Sequence, residues 1–248
     1  MYNKKISVLI PAYNEEKTIG DCLEELVKIK KESTYPIEII VCNNGSTDKT
    51  TEIVKQFPGV LLVHEKRRGT NYARQAAFEF STGDIIACID ADCVPSKNWI
   101  SRGASYFIDT NTVSVSGICI VKDYPFTLVI TGLQAIVFPL INITSKMFQN
   151  GGIIIGGNVF ISRYALKSIG GFDTSRKFWG DDARMGKLLS QIDGGMHYSL
   201  SIRVTTSSRR FRENGFWKTS WNYSKYWIYN FFDKNPNNFE PSDDDIIR

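Results

Sequence analysis

Histidine is scarce in this 248-residue chain, and its cysteines keep no regular spacing. The two histidines, His64 and His197, are expected in structural roles rather than as ligands. Five cysteines (Cys22, Cys42, Cys88, Cys93 and Cys119) are odd in number and form no Cys-x-x-Cys pair. That argues against a disulfide framework. Four of them lie in apolar runs, where a reduced cysteine acts as a small hydrophobe. A reducing, cytoplasmic compartment is therefore expected, with no signal peptide ahead of the first strand. Charge is also nearly balanced: the net +4 is too mild to argue for nucleic acid as a partner. Two local clusters, Lys66-Arg67-Arg68 and Arg203 with Arg209, Arg210 and Arg212, suit an anionic ligand or an anionic membrane surface, although a charge run is usually a solvated face.

What is present is an ordinary globular composition, 42% hydrophobic and 23% charged, long enough for one substantial α/β domain. Apolar runs at Ile6 to Ile10, Ile37 to Cys42, Val60 to Val63 and Asp84 to Ile89 read as strands. Between them lie helical patterns: one carrying Ile19, Cys22, Leu23, Leu26 and Ile29 on one face, one capped by Asp48, and one over Thr70 to Ser81 stopped by Gly83. Short continuous apolar runs separated by helices predict a mostly parallel sheet covered on both faces.

The second half is less regular. Phe126 to Ile143 is uncharged and about as long as the shortest membrane spans, but it holds Gly132, Gln134 and Pro139, so a buried or interfacial helix pair competes with a span. A glycine-rich connector leads to a strand from Val159 to Ser162, a helix, and a turn at Gly170-Gly171-Phe172-Asp173. Residues 216–232 are rich in aromatics, some at helical spacing, and suit either a membrane interface or packing onto the domain. Residues 235–248 read as a polar tail.

In an open parallel sheet, ligands bind beyond the carboxyl ends of the strands. Three such ends carry unusual polar residues: Pro11-Ala12-Tyr13-Asn14-Glu15, Asn43-Asn44 and Asp90-Ala91-Asp92. Any one of them alone is a turn or a cap; three at the same edge point to a site. Two carboxylates one residue apart at the mouth of a buried strand repel, and a hard cation, Mn²⁺ or Mg²⁺, relieves the repulsion while leaving room for phosphate oxygens and water. Such a metal neutralises the charge that gathers on a diphosphate leaving group. Asp92 is expected to touch the metal, with Asp90 either accepting from a ribose hydroxyl or holding water on the metal. About ninety residues later, Gly180-Asp181-Asp182 opens a helix, where a carboxylate serves either as general base or as an N-terminal cap.

In order along the chain, Val8-Leu9-Ile10-Pro11-Ala12-Tyr13-Asn14-Glu15, Asn43-Asn44-Gly45-Ser46-Thr47-Asp48, Gly69-Thr70-Asn71-Tyr72-Ala73-Arg74, Asp90-Ala91-Asp92-Cys93-Val94-Pro95, Gly156-Gly157-Asn158, Gly170-Gly171-Phe172-Asp173 and Asp181-Asp182 resemble the family 2 glycosyltransferases of the GT-A fold, from about Ile6 to Phe211. The resemblance implies a single GT-A-like domain over residues 1–212, with a nucleotide-binding half (1–95) and an acceptor half (96–212), followed by an aromatic helical extension (213–234) and the tail. It implies an inverting, metal-dependent transfer of one sugar from a UDP- or GDP-type donor to a glycan or lipid-linked acceptor, with peripheral membrane contact as an accompanying expectation. Pro11, Ala12, Tyr13, Glu15, Asn43, Asn44, Arg74, Asp90, Ala91 and Asp92 would surround the nucleotide, with Asp92 on the metal. Asp182 would be the catalytic base, with Asp181 beside the acceptor. Arg209 or Arg210 would cover the diphosphate, and Trp179 and Asn158 would meet the acceptor.

Three departures qualify the likeness. Asn43-Asn44 stands where one or two Asp are usual, and Asp181-Asp182 replaces Glu-Asp. The Gln-x-x-Arg-Trp element of polymerising relatives is absent, with Ser207-Ser208-Arg209-Arg210-Phe211 in that region, which favours single-sugar addition. Two rivals remain open at this point. A haloacid-dehalogenase-type phosphatase shares Asp-x-Asp but carries it on its first strand, and a non-catalytic nucleotide-sugar-binding module would share the donor site alone.

Overall fold

The computed structural model describes residues 4–108, 111–122, 124–148 (143–148 by backbone only), 152–175, 181–209, 212, 215 and 221. Its first half is β1 (Ile6–Ala12), α1 (Ile19–Glu32), β2 (Ile37–Asn43), α2 (Thr50–Lys55), β3 (Val60–His64), α3 (Thr70–Phe80) and β4 (Ile85–Ile89). The second half adds β5 (Cys93–Pro95), α4 (Trp99–Ser105), β6 (Thr112–Val121), α5 (Thr127–Phe148), β7 (Asn158–Ser162), α6 (Arg163–Ser168), α7 (Asp181–Leu189) and β8 (Gly195–Thr206). The strands form one sheet in the order β3-β2-β1-β4-β7-β6-β8-β5. The first four strands pair in parallel, β7 runs antiparallel between β4 and β6, and β6 and β8 regain the common direction.

The continuous apolar runs arise because both faces of the sheet are covered. Successive strand residues point to opposite sides, so Val8 and Ile10 pack with Ile19, Leu23 and Leu26 of α1 in one cluster. Leu9 and Ile40 pack on the other face with Ala73 and Ala77 of α3 and with Leu166 and Leu189. All five cysteines are free thiols, four of them buried, as the apolar runs predict. Strand β1 extends through Pro11, where the sequence suggested an end. Because β4 pairs only with Ile6 to Leu9, Pro11 lies where the strand has a single neighbour and tolerates the missing N–H.

At the opposite, amino edge, Glu38 ties the sheet together. It accepts from Ser7 Oγ at 2.5 Å, Lys5 Nζ at 2.6 Å and the Thr82 and Gly83 backbone N–H groups at 2.6 and 3.2 Å. Only glycine fits at position 83, because a Cβ there would meet Ser7 Oγ at 2.5 Å. Burial alone would raise the Glu38 pKa, but the bonds from Lys5, Ser7 and Thr82 outweigh it and hold the carboxyl down at about 2, against 4.5 for a free glutamate. A folded-state pKa below the unfolded one stabilises the fold above pH 4.5, and the gain is lost as pH falls toward 2. Glu38→Gln is therefore expected to cost on the order of 2 kcal/mol in urea unfolding at pH 7, with the gap to the parent narrowing below pH 4.5 and closing only toward pH 2.

Residues 126–143 do not form a helix pair. From Thr127 on they belong to one 22-residue helix, α5, with Pro139 inside it, and Phe126 lies in the turn before it. Among the described residues, no helix is long and apolar enough to cross a membrane. Gln134 fixes α5 by accepting from the Cys119 N–H at 3.2 Å and donating to its carbonyl at 3.0 Å, on a stretch of β6 beyond its pairing with β7. The outward face is apolar: Leu128 is 86% exposed, Ile136 66% and Leu140 57%. The aromatic extension and the tail lie outside the described residues apart from Gly215 and Trp221.

Candidate active site

The carboxyl ends of β1, β2 and β4 meet at one edge. The loop after β1 is stitched to the loop after β2: Asn14 Oδ1 accepts from Thr47 N at 2.8 Å, Asn14 N donates to Ser46 Oγ at 3.0 Å, and Glu15 N donates to Thr50 Oγ1 at 2.8 Å. Asn14 adopts a left-handed φ of 52°, which Asn tolerates better than most residues. Lys49, not Asp48, stands at the N-cap of α2; Asp48 precedes it and accepts from the Thr50 N–H at 3.0 Å.

Asn44 is 4% exposed, and its amide is spent inside the protein. Its Nδ2 donates to the Glu65 and Arg67 carbonyls at 3.0 and 2.7 Å, and its Oδ1 accepts from Gly69 N at 2.8 Å. It thereby pins the loop that leads into α3. Asn43 Oδ1 accepts from Ser46 N at 3.0 Å, and its Nδ2 lies 3.3 Å from His64 Nδ1, which gives that histidine a structural role. The Arg68 guanidinium lies 3.3 Å over the ring of Tyr13. Glu15 pairs with Arg209 at 2.7 Å, joining the first loop to a residue 194 positions later. Ala12 and Ala91 are buried at 2% and 3% exposure, and Pro11 is half-buried.

A buried arginine organises the acids. Arg74, on α3, has a side chain only 5% exposed; its Nη2 lies 2.9 Å from Asp90, while Nη1 lies 3.5 Å from Asp181 and 3.8 Å from Asp182. Burial would lower its pKa, but Asp90, Asp182 and Asp181 outweigh that and hold it charged. The sequence placed Arg74 among the nucleotide contacts; its position beneath three carboxylates was not foreseen. Asp182 Oδ2 accepts from Gly156 N at 2.8 Å, while its Oδ1 has no hydrogen-bond partner among the described residues. Burial, helped by the Asp181 charge, pushes the Asp182 carboxyl up to about 7, against the opposing pull of Arg74 and the Gly156 N–H. A side chain at either connector position would displace a carboxylate of the site: a Cβ on Gly156 would meet Asp182 Oδ1 at 2.5 Å, and one on Gly157 would meet Asp90 Oδ2 at 2.6 Å. That is why the glycine pair read from the sequence stands here.

One expectation is overturned. Asn158 does not meet an acceptor, because it is fully buried: its Oδ1 accepts from Trp99 Nε1 at 2.8 Å and its Nδ2 donates to the Ile118 and Ile202 carbonyls at 3.0 and 3.1 Å. It locks β7 to β6 and β8. Trp179 and Arg210 lie outside the described residues. Asp92 stands two residues past Asp90, half-buried, with Cys93 Sγ 3.6 Å from its Oδ1. Among the described residues, no three His, Cys, Asp or Glu side chains form a metal-holding group. The donor set at Asp90 and Asp92 is nonetheless hard oxygen, and the bare Gly157 beside Asp90 keeps its approach free of a side chain, so the residues suit Mn²⁺ or Mg²⁺ completed by phosphate oxygens and water.

Residues 7–170 match the model of glycosyl transferase family 2. Glycosyltransferase AglE of Haloferax volcanii is 37% identical over 120 residues, which cover 45% of this chain and 38% of that protein. The probable glycosyltransferase YdaM of Bacillus subtilis is 32% identical over 193 residues, covering 68% of this chain and 43% of that protein. The chain thus spans less than half the length of either relative. Among solved structures, the mannosyltransferase PcManGT of Pyrobaculum calidifontis, in complex with GDP-Man and Mn²⁺, shares the fold with a TM-score of 0.65 at 22% identity, over 83% of this chain and 57% of that one. Glucosyl-3-phosphoglycerate synthase of Mycobacterium tuberculosis, in complex with Mn²⁺, UDP and phosphoglyceric acid, has a TM-score of 0.63 at 20% identity, over 94% of this chain and 80% of that one.

Proposed function

The chain belongs to glycosyl transferase family 2, and from that membership we propose that it moves one sugar from a UDP- or GDP-type donor to an acceptor hydroxyl, inverting the anomeric centre. The observation that carries this reading is the gathering of Asp90, Asp181 and Asp182 around one buried guanidinium at the carboxyl edge of a mostly parallel sheet. Family membership also removes the phosphatase, whose Asp-x-Asp belongs on a first strand, whereas here it follows the fourth.

In the proposed step the acceptor oxygen attacks the anomeric carbon from the face opposite the diphosphate. A carbon–oxygen bond forms as the bond to the diphosphate breaks, and that bond's electron pair leaves with the nucleoside diphosphate. Asp182 takes the hydroxyl proton on Oδ1, its Oδ2 being held by Gly156. Asp92 would hold Mn²⁺ or Mg²⁺, with Asp90 toward the ribose. The metal supplies neutralisation of the charge gathering on the diphosphate. Pro11, Ala12, Tyr13 and Asn43 frame the nucleotide, while Asn44 contributes through the loop it pins. Arg209, anchored by Glu15, reaches over the diphosphate. Arg74 acts from beneath by orienting the acids.

Thermal melts with UDP and GDP test the donor site. Saturation at about a hundred times Kd is worth roughly 2.7 kcal/mol, or about 5–10 °C for a chain of this size. The shift is expected with Mn²⁺ and not in EDTA; an equal shift in EDTA would remove Asp92 from metal binding. The apolar outer face of α5 supports peripheral contact with a membrane. Liposome flotation should carry the chain upward, and its retention in the soluble fraction would count against that contact.

A further inference from the structure

A second polar feature adjoins Asp181. A cavity of about 280 Å³ opens between α3, the turn after α6 and the start of α7, lined by Asn71, Asp173, Thr174, Ser175, Asp181 and Arg184 among others. Its walls are built with care. Gly170 and Gly171 turn the chain with φ of 86° and 88°, a conformation that side-chain-bearing residues resist. Gln75 Oε1 accepts from Phe172 N at 2.9 Å, Asn71 Nδ2 donates to the Asp173 carbonyl at 2.9 Å, and Arg184 pairs with Asp173 at 2.6 Å. One group in this wall is unspent. Asn71 is 4% exposed, yet its Oδ1 has no hydrogen-bond partner among the described residues. A buried carbonyl of this kind normally finds a donor, in the protein or in what binds there.

The charge of the lining narrows the occupant. Among the described lining residues Asp173 and Asp181 outnumber Arg184, a net negative wall unfavourable to a phosphate or carboxylate. The volume lies just under the roughly 300–1,000 Å³ of sites for drug-sized ligands, which suits one ring rather than a long chain. An uncharged group rich in O–H donors fits both constraints. Asp181 also lies 3.5 Å from Arg74 and directly precedes Asp182, so the cavity shares one wall with the acid cluster of the proposed site.

Resting on the transferase reading above, we propose that this cavity seats the ring of a neutral sugar, free or carried on a larger molecule, with Asn71 Oδ1 accepting from one of its hydroxyls; the acceptor of the transfer is then a sugar hydroxyl rather than a lipid phosphate. The proton and the electron pair move as in the step described above.

The test uses the whole chain with Mn²⁺ and UDP-glucose, UDP-GlcNAc or GDP-mannose, following nucleotide release with p-nitrophenyl hexosides or farnesyl phosphate as acceptors. Glycosylated p-nitrophenyl hexoside is expected by mass, with farnesyl phosphate inert. In Asn71→Ala the ratio of transfer to donor hydrolysis should fall at least tenfold. Because that change also removes the bond to Asp173, Thr174→Trp, which fills the cavity while leaving Asn71 in place, is expected to lower the same ratio. Glycosylation of farnesyl phosphate but not of hexosides, or an unchanged ratio in either variant, overturns the acceptor assignment and leaves the transferase reading standing. No nucleotide release from any donor would sink the transferase reading itself.

Discussion

Asp182→Asn is expected to bind donor nucleotide with nearly the affinity of the parent and to lose transfer by about 10²–10⁴-fold, the range a positioned general base supplies. The asparagine preserves the shape of the side chain and can still accept from the Gly156 N–H, so the connector keeps its place. What disappears is a carboxylate able to take a proton on Oδ1. With that carboxyl raised to about 7 in the free protein, the parent should show an acid limb in kcat/KM that falls toward tenfold per pH unit below that point. Stopped assays of sugar transfer from pH 5.5 to 9 should reveal this limb in the parent and not in the residual activity of the variant. Full turnover by the asparagine protein would place the base elsewhere, whereas donor binding by the parent without any transfer would revive the reading of a module that only binds donor.

Arg74→Met should be costlier to the molecule as a whole. The guanidinium is the cationic partner of Asp90, Asp181 and Asp182; because those carboxylates are 41%, 22% and 38% exposed and partly solvated, its removal is expected to cost about 1–3 kcal/mol. Urea unfolding should register the loss. The surviving folded fraction should have its acid limb moved to higher pH, because the arginine is the charge that holds the Asp182 pKa down. Arg74→Lys should recover part of the stability and little of the activity, since a single ammonium cannot serve Asp90 and the Asp181-Asp182 pair at once. Near-normal stability and an unmoved pH profile in Arg74→Met would show that the arginine orients nothing.

The first half of the fold was legible because burial on both faces leaves a plain trace. Val8-Leu9-Ile10 and Ile39-Ile40-Val41 are uninterrupted apolar runs, and α1 buries the five residues its pattern marks: Ile19, Cys22, Leu23, Leu26 and Ile29. Strands β6 and β8 left no such trace. β6 buries Ser114 and Ser116, and β8 mixes buried Ser199, Ile202 and Val204 with exposed Leu200, Ser201 and Arg203, so neither reads as a core strand from composition alone. The site divides the same way. Asp90 and Asp182 were recognisable as carboxylates at element ends, and the structure brings both to Arg74. Asn158 was misassigned because a buried amide that braces three strands looks, in sequence, like one that greets a ligand. The cavity over Asn71 was not foreseen, since its walls come from segments about a hundred residues apart.

The antiparallel strand β7 imposes an order on biogenesis. Ile89 of β4 pairs with Asn158, so during synthesis the hydrogen-bonding edge of β4 stays open until about 70 more residues have emerged, roughly 3–14 s at ribosomal speeds. Throughout that interval the nascent chain presents Ile85 to Ile89, every side chain buried in the finished protein, as a bare template for the wrong partner. Chaperone capture in the cell, and slow dilution when refolding in vitro, matter most while that gap is unfilled.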